Sequence, residues 1–170
     1  MTAAKTYSRL GTDLAFTRYT GVAGQAPLDS ADSWGTLDLR VRPATRGTVV
    51  RNAPGTNSPA MDIATVSNRE NLAQALILRL LTPKGALQNL GHPEFGSRLP
   101  ELIGQLNNDT TRNLARLHTI EALGQEVRVR QLTDLAVSVV ADQPETIRIS
   151  FSVLPLGDDD PLPLTLEVIL

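Results

Sequence analysis

The last third of the chain permits few folds. Three runs alternate apolar and polar residues with a period of two. The first holds Val127, Val129, Leu135, Val137 and Val139, the second ("TIRISFSV") holds Ile147, Ile149, Phe151 and Val153, and the third ("PLPLTLEVIL") holds Leu162, Leu164, Leu166, Val168 and Leu170. Such alternation predicts strands with one buried face. Only "DQPE" and "PLGDDDP" join them, and parallel strands would need a crossover of roughly a dozen residues or more. The prediction is a three-stranded antiparallel meander over 125–170, whose apolar face needs a cover. The third run reaches Leu170. It is either an edge strand offering unpaired N–H and C=O groups or a strand enclosed in its own sheet, and the pattern leaves both open.

The cover is helical and lies in 61–124. In "SNRENLAQALILRLL", Ser67 and Glu70 have capping-box spacing, and Leu72, Leu76, Ile77 and Leu80 form a stripe at helical period. Thr82–Pro83 ends this helix, because a residue before proline disfavours the helical region. After the loop "PKGALQNLGHPEFGS", a short helix is predicted from about Arg98, with Leu99, Leu102, Ile103 and Leu106 inward. Another is predicted from Asp109, its N-cap, to Leu123, with Leu114, Leu117, Ile120 and Leu123 inward and Gly124 at the left-handed C′ position. Aromatics make up only 4 % of the chain, so the core is expected to be aliphatic. The fold class is α+β, with helices on one face of the meander, in one domain of 170 residues.

Residues 17–60 differ in kind. Glycines and prolines punctuate them densely, which favours turns. Within them "TLDLRVR" reads as a strand stopped by Pro43, with "GTVV" as its hairpin partner. Arg40, Arg42, Arg46 and Arg51 make this arm locally basic. They suit an acidic protein partner or a phosphate backbone, or they keep an exposed hairpin soluble.

Most chemistry is poorly supplied. No cysteine is present, which removes disulfides, thiolate metal sites and cysteine nucleophiles. His92 and His118 have no ligand-pair spacing, so neither a metal nor any other cofactor is expected. Glu94, Glu101, Glu121 and Glu126 could be paired as in a glycosidase, but nothing marks one of them as an acid with a raised pKa. Asp158 to Asp160 lack calcium-loop spacing and read as a solvated turn. A net charge of −2 gives no global pull towards nucleic acid or membrane. With no charged-then-apolar leader and no apolar run long enough to span a bilayer, the chain is expected to be soluble and made without signal-dependent export.

"EALGQEVRVRQL" carries Glu126 and Arg128 around Val127. On a strand, i and i+2 share a face, so the two charges pair with each other or are presented together. An exposed pair adds only about 0–1 kcal/mol to stability, which gives little structural reason for it.

The order of motifs resembles the baseplate wedge family typified by gene product 25 of T-even phages, the sheath initiators of contractile tails, injection systems and type VI baseplates. The family's Gly-x-Asp-Leu start falls on Gly11, Asp13 and Leu14, and its Asn-Leu-x-Gln-Ala helix on Asn71, Leu72, Gln74 and Ala75. Its Thr-Pro-x-Gly turn falls on Thr82, Pro83 and Gly85, its Pro-x-Phe-Gly loop on Pro93, Phe95 and Gly96, and its Glu-Pro-Arg element on Glu126 and Arg128, with Val127 in place of proline. The match spans 9–16 and 61 to the end, and 17–60 stands as an insertion.

The resemblance implies structural work in a sixfold assembly rather than catalysis. Glu126, Val127 and Arg128 would grip the core bundle of larger wedge proteins. The strand Leu162, Leu164, Thr165, Leu166, Glu167, Val168, Ile169 and Leu170 would pair with the sheath protein, and spike or hub proteins would lie nearby. The protein would be cytoplasmic during assembly and then part of the particle's baseplate. A lysozyme label sometimes travels with this family, and peptidoglycan hydrolysis and nucleic-acid binding through the arginine arm are the alternatives.

Overall fold

A computed structural model describes residues 10–15, 41–43, 49–53, 56–59 and 61–170. In chain order the strands are β1 (Thr12–Leu14), β2 (Val41–Pro43), β3 (Val49–Ala53), β4 (Thr56–Pro59), β5 (Met61–Ile63) and β6 (Thr65–Ser67). Then come helix α1 (Asn68–Leu81), short 3-10 helices at Gln88–Leu90 and Leu99–Leu102, helix α2 (Asp109–Gly124), and strands β7 (Val129–Val140), β8 (Gln143–Pro155) and β9 (Leu162–Ile169).

The three alternating runs form an antiparallel sheet in the order β7-β8-β9. Ala141 and Asp142 connect β7 to β8, with Asp142 at φ +67, a left-handed position that aspartate tolerates better than most residues. Ile147, Ile149, Phe151 and Val153 of β8, and Leu162, Leu164, Leu166 and Val168 of β9, turn inward. They meet Leu72, Leu76 and Leu80 of α1 and Leu99, Ala115, Ala122 and Leu123. The fold is therefore α+β, with both helices on one face of the meander.

The start of α1 differs from the capping-box expectation. The Ser67 side chain makes no capping hydrogen bond. Asn68 instead takes a left-handed φ of +60, and its N–H donates to the Gly11 carbonyl at 3.1 Å. An orphan helix donor is thus satisfied by the N-terminal segment, which runs antiparallel to β6 as β1. At the other end Thr82 caps α1 as expected.

α2 buries a face that shares only Leu123 with the predicted one. Thr111, Ala115, His118, Thr119, Ala122 and Leu123 are buried, whereas Leu114, Leu117 and Ile120 stay exposed. Small residues line the buried side and let the helix lie against β7. The N-cap is Asn108, whose side chain accepts the Thr111 N–H at 2.9 Å, rather than Asp109. Gly124 is the last helical residue, followed by right-handed Gln125, so it does not supply a left-handed turn. The predicted helix from Arg98 shrinks to one 3-10 turn that buries Leu99 and Leu102 and leaves Ile103 and Leu106 exposed.

The arm's pairing also differs. β3, which contains the "VV" of "GTVV", pairs with β4, and β2 pairs with β5, with Arg42 in register with Asp62. The partner nearer in sequence closes the smaller loop. Pro43 is part of β2 rather than its stop. Leu37, Leu39, Arg40 and Arg46 lie outside the described residues.

Candidate functional site

The Glu126 turn follows directly from the end of α2. Val129 N–H donates to the Glu126 carbonyl at 3.0 Å, so residues 126–129 form the turn that leads into β7. Glu126 is only 7 % exposed, whereas Val127 is 84 % exposed. The Glu126 carboxylate accepts from Arg128 Nε at 2.7 Å and from Arg79 at 3.4 Å. Arg128 also donates to the Leu10 carbonyl at 3.3 Å. The two charges are therefore turned inward on each other and on the N-terminal segment, and the side chain held out is Val127. Burial pushes the Glu126 pKa up, but the hydrogen bond and charge of Arg128, aided by its backbone N–H and by Arg79, outweigh that and hold it below the usual carboxylate value.

Arg79 itself stacks over the Phe95 ring, 4.6 Å from its centroid. Phe95 belongs to the loop after α1, where Gly96 makes a tight approach. At φ +107 an added Cβ there would lie 2.6 Å from the carbonyl oxygens of Thr82 and Pro83. Ser97 seals the loop, donating from its hydroxyl to the Leu80 carbonyl at 2.5 Å and from its N–H to the Thr82 carbonyl at 2.8 Å. No sequence motif marks Arg79. Its one signal is a lone charge inside the apolar run "LILRLL".

The second element is the outer edge of β9. Leu170 N–H donates to the Glu145 carbonyl at 2.8 Å. In that antiparallel register Leu162, Leu164, Leu166 and Val168 direct their backbone groups at β8. Thr165, Glu167 and Ile169 then direct N–H and C=O outward, and Pro163 contributes a carbonyl alone. β9 pairs with β8 without a register shift, whereas the β7–β8 pairing is interrupted three times by bulges or irregularities. Bulges blunt an edge against further pairing. Among the described residues, β9 is the regular edge of this sheet. Its solvent face is tied by Arg148 to Glu167 at 2.7 Å.

The start of β9 is set by an anchor that the sequence concealed. The aspartate run is not simply solvated, because Asp158 is buried and paired with Arg69 at the start of α1. Arg69 also donates to the carbonyls of Asp160 at 2.9 Å and Pro161 at 2.7 Å. A helix residue thus holds Asp158, Asp160 and Pro161 just ahead of β9. Two separated motifs are likewise one device. Asn71 donates to the Leu10 carbonyl and Gln74 to the Leu14 carbonyl, each at 2.8 Å, and left-handed Gly11 sits against Asn71.

The remaining candidates lie apart. His118 is buried on α2 with Nδ1 lacking a hydrogen bond and 3.7 Å from Glu121, while His92 lies in the loop beside Glu94, which pairs with Lys84 at 3.2 Å. The Arg98 hydrogen bond lowers the pKa of Glu101. Among the described residues no group of three His, Asp or Glu side chains could hold a metal ion, and no helix is long and apolar enough to cross a membrane. Arg42 and Arg51 fall in β2 and β3.

No protein-family model matches the chain, and no curated protein matches it. Among solved structures, the chain is similar to a Geobacter sulfurreducens protein carrying the provisional label of tail lysozyme. That similarity has a TM-score of 0.53 at 21% identity and covers 62% of this chain and 93% of the other. The likeness is one of fold.

Proposed function

We propose that this protein is a non-catalytic structural component of a contractile tail or injection particle, in which it joins baseplate to sheath. The observation that carries the reading is the asymmetry of its sheet. One edge is bulged and packed by α2, and the other is regular and directs N–H and C=O groups outward over Thr165–Ile169. Strand addition draws its affinity from main-chain hydrogen bonds and needs no reactive side chain. The tail label on a protein of the same fold and the ordered motifs support placing that edge against a sheath subunit. The exposed Val127, on a turn locked from behind by Glu126, Arg128 and Arg79, is the proposed contact with the larger wedge proteins. In this account Glu126 and Arg128 shape the contact rather than make it.

The test uses the intact chain. Val168 and Leu166 are buried, so deleting the strand would damage the core. Glu167→Pro removes one outward N–H and leaves the β8 ladder in place. It is expected to stay folded and to leave baseplates that no longer start a sheath. Sheaths of normal length on such particles, seen by electron microscopy, would contradict the reading.

Peptidoglycan hydrolysis is the second reading, favoured by the lysozyme label of the structural neighbour. The groove beside Phe95 has one carboxylate, Glu94, among its lining residues, where a glycosidase needs two flanking the scissile bond. Glu126 is held ionised by its arginines, the opposite of a general acid. A turbidity assay on peptidoglycan decides it, and clearing of the suspension lost in Glu94→Gln would establish the hydrolase.

A further inference from the structure

We propose that the groove between the end of α1 and the 91–95 loop recognises a carboxylate side chain on a protein partner. The groove encloses about 400 Å³ and is lined by Arg79, His92, Pro93, Glu94, Phe95 and Gln125. Arg79 is its guanidinium. Its guanidinium carbon lies over the Phe95 ring, 4.6 Å from the centroid, yet its hydrogen bonding is thin. Among the described residues it reaches one acceptor, Glu126, at 3.4 Å, and its buried Nε has no partner. The other oxygen of Glu126 is committed to Arg128 at 2.7 Å, so Glu126 cannot offer Arg79 a two-pronged match.

A guanidinium carries five donors in a fixed fork. Its best counterpart is a planar carboxylate, bound through two parallel hydrogen bonds. Pro93 and Phe95 give the methylenes of an incoming glutamate an apolar wall. Glu94 at the rim is already matched by Lys84, leaving Arg79 as the charge to be answered. A protein source fits the location, because Gln125 lines the groove and the protruding Val127 follows two residues later. One partner surface could cover both.

The full-length ¹⁵N-labelled chain would be titrated with the peptide acetyl-Ala-Glu-Ala-amide, with its Gln counterpart and with inorganic phosphate, reading the Arg79 Nε–H and Gln125 side-chain resonances. The Glu peptide is expected to shift both saturably and to bind at least about tenfold more tightly than the Gln peptide. Gln125→Glu, an exposed change that spares the core, should weaken the Glu peptide about tenfold by repulsion and leave the Gln peptide unaffected. Arg79→Lys should do the same by losing the fork, and its amide spectrum reports whether the domain stays folded. Equal binding of the two peptides, a response to phosphate alone, no saturable shift at Arg79, or an unchanged affinity in Gln125→Glu would each overturn the proposal.

Discussion

Asn71 donates its side-chain amide to the backbone carbonyl of Leu10 at 2.8 Å, across 61 positions of sequence. The same oxygen accepts from Arg128 at 3.3 Å, so one carbonyl ties the N-terminal segment to α1 and to the Glu126 turn. Replacing Asn71, which is buried, by leucine removes the stronger donor and should cost about 1–3 kcal/mol. Urea unfolding measures the cost. Faster amide exchange of Ala15, which bonds to the Ala64 carbonyl, would show that the segment has loosened.

Glu126 gives the domain a pH dependence with a definite sign. Its folded pKa is depressed, so its contribution is fully present above the unfolded value and is lost as pH falls through the folded one. Glu126→Gln should therefore lower Tm at neutral pH, with a loss of about 1–3 kcal/mol. The gap between variant and parent should close in acid, below the ordinary glutamate range. A gap that widened on acidification would contradict the clamp.

The glycines of the loop after α1 are unequal. Gly96→Ala places a methyl against two carbonyl oxygens at 2.6 Å and should cost more than about 2 kcal/mol. Gly91→Ala, also left-handed but with open space around it, should cost about 1 kcal/mol. Chemical denaturation of the two variants compares them directly.

Arg69→Met tests the anchor ahead of β9. It removes the arginine paired with buried Asp158 and the donors to the Asp160 and Pro161 carbonyls, and a loss of about 3 kcal/mol is expected. Near-wild-type Tm would show that the β8–β9 loop holds itself.

α2 separates what the sequence revealed from what it hid. Period-two alternation made β7, β8 and β9 legible, because residues i and i+2 share a face in any strand. The helices were legible as helices, yet α2 was turned the wrong way. A stripe of Leu114, Leu117 and Ile120 is the more apolar face, but Ala115, Thr119 and Ala122 allow the closer approach. Leu117→Ser should accordingly change stability by less than about 0.5 kcal/mol, whereas Ala115→Leu should cost about 1–3 kcal/mol by overpacking. The candidate site was half legible. The spacing of Glu126 and Arg128 pointed to a pair, but burial turned that pair inward and left Val127 to protrude. Arg79 and Arg69 gave no spaced motif, because their partners come from loops far along the chain. The outward backbone groups of β9 depend on register and on bulges in another strand, which no local pattern specifies.

Amide hydrogen exchange along β9, in the free protein and in particles carrying assembled sheath, tests strand addition most directly. In the free protein Leu164, Leu166 and Val168 should be protected and Thr165, Glu167 and Ile169 should exchange rapidly, as their register with β8 requires. In the assembled particle the latter three should become protected. Rapid exchange at Thr165, Glu167 and Ile169 after assembly would contradict the pairing of this edge with sheath.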